Sequence, residues 1–212
     1  MRLLLLGATG LVGGHVLQQA LAHSQVSQVI APVRRPLAIQ DNKLKQIIMR
    51  FEQIEQYSEQ FKVDAVICAL GTTQKKAGSK AAFRQVDLVY PLHFAQIAQQ
   101  QGVQTFVLNS AMGSNPKSKV FYNQVKGELE HALIALNFKS LTFVRPGLID
   151  GERDEFRLAE SIGLAVLKGF DKVLPDAFKV NPAENIAAAL LDAAINAPLG
   201  THIVPSTALI AK

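Results

Sequence analysis

The chain has 212 residues, 49% of them hydrophobic, enough to bury a core within one domain, read here as spanning 1–212. Its net charge is +5 and its isoelectric point is near 9.4. The lysine clusters Lys75, Lys76, Lys80 and Lys117, Lys119, Lys126 have no interleaved aromatics, which argues against a nucleic-acid surface.

An apolar run at 2–6 predicts the first strand. It is too short for a signal peptide, and no run approaches the roughly eighteen apolar residues of a membrane span. The strand passes straight into Gly7-Ala8-Thr9-Gly10-Leu11-Val12-Gly13-Gly14, and helical spacing follows over 11–22. A strand that turns through glycines into a helix is built to hold the pyrophosphate of a dinucleotide. Gly7 permits the turn, Gly10 lets backbone amides at the helix N-terminus approach a phosphate, and Gly13 lets the helix pack on the strand.

A second strand at 27–33 ends in Arg34 and Arg35. An acidic residue there would bond the ribose 2′-hydroxyl of NAD. Two guanidinium groups instead suit the 2′-phosphate of NADP, unless they form only an exposed basic turn. Strands at 45–50 and 63–69 follow. The latter holds the only cysteine, Cys68, which reads as a buried strand thiol. With no disulfide possible, the expected setting is a reducing cytoplasm. The five histidines show no metal-ligand spacing.

A helix over 80–100 closes at Gln101-Gly102, and a strand at 104–109 delivers Ser110 to its carboxyl end, where open α/β sheets bind ligands. On a helix over 118–137, Tyr122 and Lys126 lie one turn apart on one face. A free tyrosine is a weak base at neutral pH, and a neighbouring ammonium favours the phenolate. Ser110 can donate to a substrate carbonyl. A strand at 140–145 is followed by a small cap over 147–180, with a short helix near 155–168. Asn181-Pro182 then opens a helix at 183–196 with a capping residue and a first-turn proline, and a last short strand covers 202–204. Strands alternating with helices predict a doubly wound parallel sheet, a Rossmann fold.

Taken together, Gly7 to Gly13, the two arginines, Ser110 and Tyr122-x-x-x-Lys126 resemble an atypical short-chain dehydrogenase/reductase. More narrowly, three stretches resemble its Tat-interacting-protein-like branch. These are Ile67 to Thr73 with Lys76 to Ser79, Tyr122 to Glu128, and Arg145-Pro146-Gly147 with Gly151 to Arg157. The resemblance implies bound NADP(H) and a Ser–Tyr–Lys site. Ser110 would polarise a carbonyl, Tyr122 would donate the proton, and Lys126 would hold the nicotinamide ribose. It also implies cofactor contacts from Gly7, Thr9, Gly10, Leu11, Val12, Gly13, Ala69, Leu70, Gly71 and Thr72. Arg145, Pro146 and Gly147 would wall the nicotinamide.

Two positions depart from the pattern. Arg50 stands where relatives often carry an adenine-binding Asp, and Asp87 where many superfamily members have Asn. The branch includes both oxidoreductases and regulators that bind proteins. Two readings follow: an NADPH-dependent reductase of a small carbonyl substrate, or a cofactor-binding regulatory module with a protein partner. Monomer and homodimer both stay open. A membrane-surface or dimer contact through Leu158, Ile162, Ala165 and Val166 is a weaker alternative to a core-facing cap helix.

Overall fold

The computed structural model describes residues 1–150 and 179–210. In β1 (Arg2–Leu6), Leu3 and Leu5 join one core while Leu4 and Leu6 join the other, and all four are fully buried. Side chains alternate along a strand, so an unbroken apolar run calls for cover on both faces. Each such leucine contributes about 1.5–3 kcal/mol relative to exposure. β2 (Gln28–Val33), β3 (Leu44–Ile48), β4 (Ala65–Cys68), β5 (Thr105–Asn109) and β6 (Ser140–Arg145) follow. Two-residue strands β7 (Ile149–Asp150) and β8 (Asn181–Pro182) and the edge strand β9 (Gly200–Pro205) complete the set.

Seven strands form one parallel sheet in the order β3-β2-β1-β4-β5-β6-β9. Helices α1 (Leu11–Ala22) and α6 (Ala183–Asn196) cover one face. After the short helices α2 (Gln74–Ala77) and α3 (Lys80–Arg84), the other face is covered by α4 (Tyr90–Gln100) and α5 (Phe121–Ile134), together with a 3₁₀ segment, Phe51–Phe61. This is a Rossmann-type doubly wound fold. The order reverses between β1 and β4, which opens a crevice at the carboxyl ends of those strands. β7 and β8 pair apart from the main sheet.

Several expectations change. The helix expected over 80–100 is divided into Lys80–Arg84, a π-helical turn at Gln85–Val89, and α4. The wide turn carries Asp87, whose side chain is pulled inward by partners on two other elements. The third strand stops at Ile48, so Arg50 lies beyond it as the N-cap of the 3₁₀ segment. Asn181 is not a helix cap. It pairs with Ile149 in β8, and Pro182 is the N-cap of α6. The helix near 155–168, the motif residues 151–157 and nearly all of the expected cap lie outside the described residues.

Candidate dinucleotide-binding cleft

The glycine turn after β1 is sterically enforced. Gly7 has φ +89°, and a Cβ there would stand 2.6 Å from the Ala69 carbonyl oxygen. A Cβ on Gly13 would stand 2.0 Å from the carbonyl oxygen of Gly7, so the first turn of α1 can pack onto the strand exit only without a side chain. Gly10 is the N-cap of α1, with no side-chain cap and no acidic residue in the first turn. The positive end of this helix therefore faces the crevice without a built-in carboxylate. The arrangement fits the pyrophosphate of a dinucleotide.

A cleft of about 630 Å³ runs along the carboxyl ends of the strands, a size typical of small-molecule sites. Gly7, Thr9, Gly10, Leu11 and Val12 form its floor, and Ala69, Leu70, Gly71 and Thr72 its wall after β4. Ser110, Tyr122, Lys126, Pro146 and Gly147 line one end, and Arg34 lines the other. Gly13 and Arg35 are not on the surface of the cleft; Gly13 serves by letting α1 approach. Three lining residues, Arg50, Glu52 and Tyr90, were not expected to form a group.

At the β5–β6 end, Ser110 is held where its backbone N–H donates to the Val144 carbonyl at 2.7 Å. The Ser110 hydroxyl donates to Glu130 Oε1 at 2.5 Å and stands 3.0 Å from Ser114 Oγ. Glu130, buried on α5, in turn accepts from Arg145 Nε at 3.0 Å and Nη2 at 2.5 Å. Arg145 therefore turns toward α5 and leaves Pro146 and Gly147 to line the cleft, unlike the nicotinamide wall expected of it. The sequence signal for Glu130 is a carboxylate on the buried stripe Val125, Leu129, Leu133, one turn beyond Lys126.

Lys126 is also buried. Its ammonium lies 2.9 Å from Asp87 Oδ1 and 6.0 Å from the centre of the Tyr122 ring. The contact with Asp87 is an ion pair between two buried side chains. Asp87 Oδ2 accepts from the Thr72 N–H at 2.8 Å, so one carboxylate links the lysine to the cleft wall after β4. Asn181, fully buried, accepts from Gly147 N–H at 2.7 Å and donates to the Ser206 carbonyl at 2.9 Å.

At the β2–β3 end the charges are exposed. The Tyr90 hydroxyl donates to Glu52, and this bond is the main cause holding the Glu52 carboxyl below its ordinary range. The positive charges of Arg50 and Arg34 act in the same direction. Burial, followed by the Glu52 contact, raises the Tyr90 hydroxyl. Cys68 is buried as expected, and burial pushes its thiol up to about 12.

Fold and cleft together define a Rossmann-type protein whose cleft is suited to a dinucleotide. A family model described as NAD(P)H-binding matches residues 7–162, and the chain belongs to that family. It is 34% identical over 169 residues to the protein FMP52-1, mitochondrial, of Scheffersomyces stipitis, covering 77% of this chain and 74% of that one. It is also 34% identical over 178 residues to the protein HTATIP2 of Rattus norvegicus, covering 82% and 72%.

Among solved structures, MoeE5 in complex with UDP-glucuronic acid and NAD matches with a TM-score of 0.74 at 16% identity, over 97% of this chain and 76% of that one. A short-chain dehydrogenase/reductase family oxidoreductase from Burkholderia thailandensis matches with a TM-score of 0.67 at 16% identity, over 100% and 93%. The cytoplasmic expectation does not stand, because several of the relatives are named mitochondrial. A lone buried cysteine is compatible with any reducing compartment and does not single one out. No helix among the described residues is long and apolar enough to cross a membrane.

Proposed function

We propose that the chain is an NADP(H)-dependent oxidoreductase that reduces a small carbonyl compound. The observation that carries this reading is the convergence of Ser110, Tyr122 and Lys126 on one end of the cleft, with the ammonium beside the phenol ring. NADPH, when bound, would supply a hydride to the carbonyl carbon. Tyr122 delivers its hydroxyl proton to the substrate oxygen. Lys126, with its ammonium kept in position by Asp87, favours the phenolate that remains and meets the nicotinamide ribose. Ser110 polarises the carbonyl by turning about its Cβ–Oγ bond, which redirects its proton from Glu130 to the substrate. Arg34 supports the choice of NADP over NAD.

The test is a screen of carbonyl compounds for NADPH oxidation, followed by Tyr122→Phe. Turnover should fall roughly 10²-fold with cofactor affinity almost unchanged. One observation favours a second reading, an NADP(H)-binding regulatory module: Ser110 and Lys126 both have partners within the protein, so the site is complete without substrate. That reading predicts no turnover across the screen with NADPH demonstrably bound, and a silent Tyr122→Phe.

A further inference from the structure

We propose that Arg34 and Arg50, one from beyond each of two neighbouring strands, together grip the 2′-phosphate of the cofactor, and that Arg35 takes no part. The inference rests on the NADP(H) reading and names the residues that would enforce it. β2 and β3 run parallel with Val33 opposite Ile48, and Met49 N–H donates to the Val33 carbonyl at 2.9 Å. The chain therefore leaves both strands side by side, with Arg34 directly after β2 and Arg50 two residues after β3.

Both arginines line the cleft, and Arg35 does not. The positive charges of both reach the Glu52 carboxylate, the other charged residue lining this corner, so the two guanidinium groups serve one locality. Glu52 offsets their mutual repulsion, and its bond with Tyr90 holds it on the Tyr90 side. A dianionic phosphate suits two planar guanidinium forks, each able to give paired hydrogen bonds. A carboxylate at position 50 would repel that phosphate, so the arginine there sets the sign of the corner toward the ligand.

The test uses the full chain in calorimetric titrations with NADPH and NADH, and with adenosine 2′,5′-bisphosphate against 5′-AMP to isolate the adenosine end. The unmodified protein should bind NADPH and the bisphosphate at least about tenfold more tightly than NADH and 5′-AMP. Arg34→Ala and Arg50→Ala should each remove most of that preference while leaving NADH within about twofold, which also shows that the variants are folded. Arg50→Asp should invert it, and Arg35→Ala should leave it intact.

Arg50→Ala with undiminished preference, or Arg35→Ala without it, would overturn the assignment while the NADP(H) reading stands. Equal loss of NADPH and NADH in Arg50→Ala would also overturn it, because the residue would then serve the adenine rather than the phosphate. Equal affinities in the unmodified protein would instead overturn the NADP(H) reading itself.

Discussion

The two ends of the cleft treat charge differently. At the β5–β6 end, Lys126 and Glu130 are buried against Asp87 and Arg145, and each pair spans two elements of the fold. At the β2–β3 end, Arg34, Arg50 and Glu52 stand exposed beyond the strands. A buried ion pair is costly to break, because the surviving partner keeps its desolvation penalty without compensation. An exposed charge is screened by salt and can be exchanged at little cost to folding. One end thus holds a fixed geometry suited to chemistry, and the other presents adjustable charges suited to choosing a ligand.

The contrast breaks most visibly at Lys126. Lys126→Ala should destabilise the protein by about 3 kcal/mol or more, because Asp87 is left buried and unpaired. That corresponds to a fall in melting temperature of roughly 6–12 °C for a chain of this size, read by scanning calorimetry. Lys126→Met combined with Asp87→Asn should recover most of that stability, since the neutral amide removes the uncompensated charge and its oxygen can still accept from the Thr72 N–H. Cofactor binding should not recover with it. If Lys126→Ala alone leaves the melting temperature unchanged, the pair is not acting as a buried unit.

A smaller effect sharpens the other side. On the NADP(H) reading, only the 2′-phosphate would meet the exposed arginines, so raising ionic strength from about 0.05 M to about 0.5 M should weaken NADPH binding several-fold and NADH binding little. Over the same range, the stability difference between Lys126→Ala and the unmodified protein should hardly move. Parallel salt dependence for both cofactors would contradict the division between the two ends.

The smallest effect concerns Glu52. Tyr90→Phe removes the main cause holding its carboxyl low, so an NMR titration should show the carboxyl moving up toward the ordinary glutamate range. The sign follows from linkage. A carboxyl held low in the folded state stabilises it above its unfolded pKa, and that contribution is lost as pH falls through the folded value. Tyr90→Phe should therefore flatten the acid side of the stability profile slightly. An unmoved Glu52 would show that the hydroxyl bond is not what lowers it.

Much of the frame was legible from local pattern. Unbroken apolar runs located β1, β2 and β4, and the helices over 11–22 and 183–196 begin and end where their periodicity does. Gly7 and Gly13 declared a turn whose need for glycine is steric and local. What the sequence hid depends on contacts between distant segments. The π turn at Gln85–Val89 brings Asp87 to Lys126, and no local propensity reports that pair. Glu130 falls on the buried stripe of its helix, but nothing local names Arg145 and Ser110 as its partners. Asn181 before a proline has the signature of a helix cap, yet its amide is committed to Gly147 and Ser206 across the fold. The strand expected over 45–50 ends at Ile48, which leaves Arg50 beyond it among the residues that line the cleft.

The short pairing of Ile149 with Asn181, fastened by the Asn181 amide, has an evolutionary consequence. It brings the point where the chain departs from the sheet next to the point where it returns. The cost of joining two points of a chain in this way grows slowly with the length between them, about 0.6 kcal/mol for each doubling. A lineage can therefore change the number of residues between these two points while the pairing of Ile149 with Asn181 stays closed. The pair behaves as a socket, and a change of length is cheapest where the chain is already fastened at a socket.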